Sequence, residues 1–362
     1  MLKPLVGSYP ENDCLFLMQE VEIEFQNTES REKEIQKGTT HYSESIHNED
    51  APTPEYLELF YELMGTYKYR LAKEVMTLAK KIVLERSEFG TDDAPIVLMS
   101  LARAGTPIGA LLKRALDKLD KHAVHYSISI IRDKGIDDIA LNYVRENHAD
   151  ASLVFIDGWT AKGVVTRELH TAVEQYNADN GSSVPKELFV ISDIGGTADV
   201  TVTFDDYTMP SALLNSTVSG LLSRTILNDE IKQSGGFHGC VVYRHLASCD
   251  RTNWFIDEID SLMSPENICE ETVNSKEEKR ALTQAFMDTI MTEYGVTNLN
   301  RVKPGIAEAT RIMLRRKPDL LLVRELGAPD VSHLERIAKE KGIEVRVMPE
   351  MPFGACSIVH DI

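Results

Sequence analysis

Ser152-Leu-Val-Phe-Ile-Asp157-Gly-Trp-Thr-Ala-Lys-Gly163-Val-Val-Thr166-Arg-Glu168 is the stretch on which the reading of this chain turns. The four apolar residues Leu153 to Ile156 fit a strand buried on both faces, with a carboxylate, Asp157, where that strand should end. A small hydroxyl-bearing loop follows, and Val164 to Gln175 predicts a helix. Strand, tight loop and helix start together make an anion site, because the N–H groups there are unpaired and the helix dipole favours negative charge. Thr160, Ala161, Lys162, Gly163 and Thr166 are the expected phosphate contacts, offering two hydroxyls, one cation and a glycine that lets the backbone come close. Asp157 is placed to take ribose hydroxyls or to hold a divalent metal through oxygen. The same pattern is plain architecture in many parallel-sheet proteins, and neither a Walker loop nor a Gly-x-Gly-x-x-Gly fingerprint accompanies it.

Upstream, Pro95-Ile-Val-Leu-Met-Ser100-Leu-Ala-Arg103-Ala-Gly105-Thr106-Pro107 repeats the logic of buried strand, tight loop and helix. Pro107 suits a first helical turn, and Arg103 offers a planar fork to phosphate oxygens, so Arg103, Ala104, Gly105 and Thr106 form a second candidate anion loop. Ser127 to Ile131 has strand character and runs into the charged turn Arg132-Asp-Lys134-Gly135. Glu187 to Asp193 is a further apolar strand ending in an acid, and ligands in open parallel sheets sit beyond such strand ends. The hydroxyl-rich segment Thr201 to Gly220 is read as a lid over a base-like acceptor, with Asp193, Asn215 and Ser216 as candidate acceptor contacts. Pro54 to Arg86 carries an amphipathic helical period and should cover the sheet. Alternating strands and helices make the fold class α/β with an open parallel sheet.

The Asp157 segment resembles the ribose-phosphate signature of type I phosphoribosyltransferases, with Gly158 where the family usually has a second acid. The Arg103 loop is similar to that family's pyrophosphate-binding loop and precedes the Asp157 motif in the family's order. The turn at Arg132 and Lys134 resembles the mobile loop that closes over the active site in these enzymes. The resemblance implies phosphoribosyl pyrophosphate or a nucleotide as ligand and Mg²⁺ as cofactor. It gives Asp157, Arg103, Arg132 and Lys134 as the catalytic set, with Asp157 also the metal ligand. In series, Gly7-Ser-Tyr, His41-Tyr-Ser-Glu, the Arg103 and Asp157 loops, Pro210-Ser-Ala-Leu-Leu-Asn-Ser and Phe237-His-Gly resemble a bacterial family of tellurite-resistance and stress operons. Members of that phosphoribosyltransferase-like family are also labelled cysteine proteases (StiP).

Composition narrows the classes. The chain has 362 residues, 43% hydrophobic and 27% charged, enough for two or three ordinary globular domains. No stretch approaches a membrane span and the N-terminus lacks a signal-peptide core, so the expectation is a cytoplasmic protein with no membrane partner. Five scattered cysteines without a Cys-x-x-Cys pair predict free thiols. His238 and Cys240 would share one face of a strand, which leaves a peptidase dyad open beside the ordinary reading of a buried thiol.

Charge divides the chain. Residues 298–362 hold 11 Lys+Arg against 9 Asp+Glu, a balance of +2, so a net charge of −18 leaves −20 on the rest. In this tail Lys303-Pro-Gly305-Ile-Ala-Glu308-Ala-Thr310-Arg311 resembles the loop and helix start of the Pelota/ribosomal-protein RNA-binding fold, with Ala307 where the family often has Asn. The resemblance implies a small α/β/α sandwich that grips RNA backbone through Lys303, Gly305, Glu308, Thr310, Arg311, Arg315 and Arg316. A helix start flanked by basic side chains accepts phosphates, and such binding weakens with salt.

The expected organisation is a transferase-like domain over 1–263, with an irregular segment to about residue 50 and a lid over 200–263. A linker over 264–280 and a Pelota-like domain over 281–362 complete it, and a homodimer is left open. The expected reaction ribosylates a base-like acceptor from phosphoribosyl pyrophosphate. A cysteine peptidase at Cys240 and a non-catalytic nucleotide-sensing RNA-binding protein are its rivals.

Overall fold

The structure, a computed structural model, describes residues 2–23, 25, 41, 43–44, 46, 48–270, 275–315 and 318–359. Its larger sheet is the α/β element that the sequence predicts. Leu15–Leu17 (β1), Ala123–Ile128 (β4), Ile96–Leu101 (β3), Leu153–Thr160 (β7), Leu188–Asp193 (β8) and Val200–Thr203 (β9) lie side by side in that order, every pair parallel. The interior strands are apolar because both faces are covered. Ile96, Leu98, Val154, Ile156 and Phe189 meet one helical layer, formed by the Pro54–Glu85 and Thr106–Lys118 helices. Val97, Met99, Phe155 and Val190 meet the other, formed by Asp138–Arg145 and Val164–Asn180. The period of two along each strand sends successive side chains to opposite layers.

Local chemistry sets the helix starts. Thr53 accepts from the Tyr56 amide ahead of Pro54, and Asp137 accepts from the amides of Ile139 and Ala140. Gly163 has φ +66° and turns the chain straight from β7 into the Val164–Asn180 helix. Two short pairs complete the body. Gln19–Glu20 (β2) pairs with Gly239–Cys240 (β10), and Ile130–Ile131 (β5) pairs with Gly135–Ile136 (β6).

The C-terminal unit has its own four-stranded sheet, ordered Val302–Pro304 (β11), Ala355–Ile358 (β14), Leu320–Val323 (β12) and Glu344–Val347 (β13). The sequence predicts only the two strands β12 and β13; β11 is short and ends in proline, and β14 follows an irregular Met-Pro-Phe-Gly run. The Lys276–Glu293 helix starts inside the stretch expected to be linker, capped by Ser275, whose hydroxyl accepts from the Glu278 amide. The unit does not stand apart: Ile306, Ala309, Met313, Leu321 and Leu334 belong to the same apolar cluster as the body's Tyr67, Tyr207 and Met209.

Candidate ligand-binding site at the sheet switch point

The strand order reverses between β3 and β7, whose register pairs Val97 with Leu153 and Ser100 with Ile156. Open α/β sheets bind ligands in the crevice beyond the strand ends at such a reversal. The Arg103 loop leaves β3 and the Asp157 motif leaves β7, so the two candidate anion loops are neighbours. Gly105 is required by this closeness: a Cβ there would lie 2.6 Å from the Ile156 carbonyl oxygen. Its φ is −72°, so close approach to protein, not a left-handed turn or an anion, explains the glycine. The Ala102–Arg103 peptide is cis.

Arg103 donates from one Nη to Glu49 Oε2 and to the Leu222 carbonyl, both at 3.0 Å. Burial works against the Glu49 charge, but Arg103 and Ser216 outweigh it and hold that carboxyl below its ordinary value. Asp157 does not end its strand. β7 runs on to Thr160, with Asp157 opposite Val190, which leaves a turn of only three residues before the helix. Burial pushes the Asp157 carboxyl up to about 7, against a hydrogen bond from its neighbouring Gly158 amide and the charge of Arg311. Where the second acid would stand, Gly158 faces Met209, whose Sδ would be 3.5 Å from an added Cβ.

The turn and the first helical residues line a cavity of about 550 Å³ with Lys162, Gly163, Thr166, Arg167 and Arg280 on its walls. Thr166 Oγ1 and Thr283 Oγ1 are buried there without a hydrogen-bond partner among the described residues. Arg280 and Thr283 come from the Lys276–Glu293 helix, more than a hundred residues along the chain, and the sequence offered no signal for them. Lys162 donates to the Leu299 and Val302 carbonyls, both at 2.9 Å, and burial lowers its ammonium to about 8.

Several expected contacts have other duties. Thr106 shares a 2.7 Å hydrogen bond with Ser127, and Thr160 one of 3.2 Å with Thr197. Both hydroxyls are buried inside the body, which takes them away from phosphate. Asp193 accepts from the amides of Thr197 and Ala198, so it caps its own turn instead of meeting an acceptor. Ser216 donates its amide and hydroxyl to Glu49. Lys134 reaches Glu44 and the Leu227 carbonyl, and Arg132 reaches Asn300. Glu168 fixes the turn between them by accepting from the amides of Asp133 and Gly135. Ala104 is exposed at the loop tip.

The tail residues expected on RNA turn towards the body or into their own unit. Thr310 is fully buried and bonds the Ile306 carbonyl and His333. Arg311 pairs with Glu308 and reaches Asn215 Oδ1 at 3.3 Å. Lys303 is partly buried, Arg316 lies outside the described residues, and so does the Arg315 side chain. Cys240 is completely buried, and burial together with the Glu20 charge pushes its thiol up, away from thiolate. His238, just ahead of that strand, bonds Ser129 Oγ through Nδ1 at 2.7 Å. That arrangement opposes the peptidase dyad that the sequence left open.

Comparison with known proteins bears on the whole chain. Residues 7–260 match the family described as tellurite-like stress resistance cysteine protease StiP. A relative from Acinetobacter baylyi, named cysteine protease StiP, is 38% identical over 369 residues, covering 98% of this chain and 94% of the relative. The chain belongs to the StiP family. Residues 281–361 of this StiP-family chain match the PELOTA RNA-binding domain. Among solved structures, the hypoxanthine phosphoribosyltransferase of Trypanosoma cruzi aligns with a TM-score of 0.29 at 16% identity, over 38% of this chain and 77% of that one. The corresponding enzyme of Leishmania tarentolae, in complex with GMP, gives 0.29 at 15% identity, over 39% and 82%. No described helix is long and apolar enough to cross a membrane.

Proposed function

We propose that the crevice at the β3–β7 reversal binds a phosphorylated ribose, with phosphoribosyl pyrophosphate as the candidate donor in a transfer to a base-like acceptor. The observation that carries this reading is the adjacency of the Arg103 loop and the turn between β7 and the Val164–Asn180 helix where the strand order of the described sheet reverses. The cavity beside Gly163 offers a phosphate a helix start, two buried hydroxyls without partners among the described residues, and the guanidinium groups of Arg167 and Arg280, each anchored by one hydrogen bond to a carbonyl, of Lys162 and Gly196. Arg103 would turn from Glu49 to meet a diphosphate.

Asp157 is the one carboxylate of the resemblance, and its Oδ2 carries no hydrogen bond among the described residues. A single carboxylate fits Mg²⁺ when substrate phosphates and water complete the octahedron. Asp157 would then hold the ion, which would supply neutralisation of the departing diphosphate. The chain's own contribution is positioning and charge: Arg103 faces the leaving group and the Gly163 turn holds the ribose phosphate.

The name of the Acinetobacter relative favours a second reading, a thiol peptidase. Against it stands the depth of Cys240 and the engagement of His238 by Ser129. Titration calorimetry of phosphoribosyl pyrophosphate with Mg²⁺ into wild type and Asp157→Ala, followed by a pyrophosphate-release screen over bases, tests the transferase reading. Heat from wild type that Asp157→Ala loses supports it. Absence of heat from wild type ends it, and binding without pyrophosphate release makes the protein a nucleotide sensor. A peptidase activity lost in Cys240→Ala and kept in Asp157→Ala would establish the rival.

A further inference from the structure

The helix start that the RNA resemblance singles out already holds an anion, and the anion belongs to the protein. Asp206, from the segment after β9, accepts from the Ile306 amide through both carboxylate oxygens, at 2.9 and 3.1 Å, and from the Gly354 amide at 2.8 Å. Gly305, with φ +98°, opens this nest, and a Cβ there would lie 2.6 Å from Ile194 Cδ1 of the body. Two amides converging at the start of a ten-residue helix are what a backbone phosphate would seek.

Two further contacts close the same surface from other segments. Ile194 packs into the C-terminal apolar cluster with Phe286, Val302 and Phe353. Asn215 takes Arg311, whose buried Nε has no partner among the described residues. Three separate stretches of the body therefore meet the C-terminal unit around this helix: Ile194 beside Gly305, Asp206 at the Ile306 amide and Asn215 at Arg311. We propose that Asp206 is a built-in phosphate mimic that masks the RNA-gripping helix start, so that RNA and the body compete for the same amides. RNA binding then undocks this helix from the body, parting Ile306, Ala309 and Met313 from the apolar cluster they share with Tyr207 and Met209. The inference rests on the RNA reading of the C-terminal unit and sets its regulation.

The test uses the full chain and a fluorescein-labelled RNA stem-loop, with affinity read by fluorescence anisotropy at low salt. Asp206→Ala empties the nest, Asp206→Asn keeps its shape without the charge, and Ile194→Ala loosens the docking from a residue with no part in RNA contact. Each folded variant, checked by circular dichroism, should bind the stem-loop about tenfold more tightly than wild type, because a larger fraction of molecules presents the free helix start. Hydrogen exchange should find the Ile306 and Gly354 amides protected in wild type and exposed in Asp206→Ala without RNA. Wild-type affinity equal to that of the folded variants overturns the masking while leaving the RNA reading intact. Absence of binding by all four proteins removes the RNA reading and the masking together.

Discussion

Replacing Asp157 by Asn should stabilise the protein, and the gain should depend on pH. Burial raises this carboxyl from its ordinary 3.8 to about 7. Below about pH 4 the group is neutral in folded and unfolded chains alike, and the burial of Asp157 costs little. As pH rises from about 4 to about 7, the unfolded chain loses a proton that the folded chain retains, so stability falls; above about 7 the loss is complete. The full difference corresponds to roughly 4 kcal/mol, and with local relaxation around Gly158 and Arg311 we expect about 2 kcal/mol. Asn keeps the shape and carries no charge to bury. Thermal denaturation of both proteins from about pH 4 to about pH 8 should therefore find Asp157→Asn more stable by about 4 °C at the alkaline end, with the gap nearly closed at the acid end. Asp206, raised by burial to about 6, titrates in both proteins and cancels from the difference. A gap that does not vary with pH, or a variant less stable than wild type at about pH 8, would refute the reasoning, since the ionised carboxylate would then be well solvated or held by Arg311.

Glu49→Gln removes the countercharge that engages Arg103, and titration calorimetry should give about tenfold tighter binding of inorganic pyrophosphate, an effect lost when Arg103→Ala is added. Thiol labelling of the native protein, mapped by mass spectrometry, should modify the partly exposed Cys249 and Cys269 and spare Cys240 until the chain is unfolded; rapid labelling of Cys240 would reopen the peptidase reading. Tyr67 donates its hydroxyl to Asp330 and so ties the long body helix to the C-terminal unit. Tyr67→Phe should lower urea-unfolding stability by about 1 kcal/mol, and an unchanged midpoint would mean that the contact adds nothing to docking.

The sequence by itself determined the layers. Leu153 to Ile156, Pro95 to Leu101 and Glu187 to Asp193 are too apolar for any place but the middle of a sheet, and the glycines and acids after them mark turns at one end. Charge separates a near-neutral tail from an acidic body, and the Lys303-to-Arg311 run resembles the loop and helix start of an RNA-binding fold. These are local signals, carried by residues that sit side by side in the chain. Only the tertiary structure decided which of the expected ligand groups are already engaged. Thr106, Thr160 and Asp193 have the right chemistry in the right order, yet Ser127, Thr197 and the amides after β8 use their hydrogen bonds. Arg280 and Thr283 reach the phosphate cavity, and Asp206 reaches the Ile306 amide, across separations that no period or spacing encodes. A hydrogen-bonding group declares its type in the sequence, but the partner that uses it is chosen by packing, which brings distant segments within 3 Å of one another.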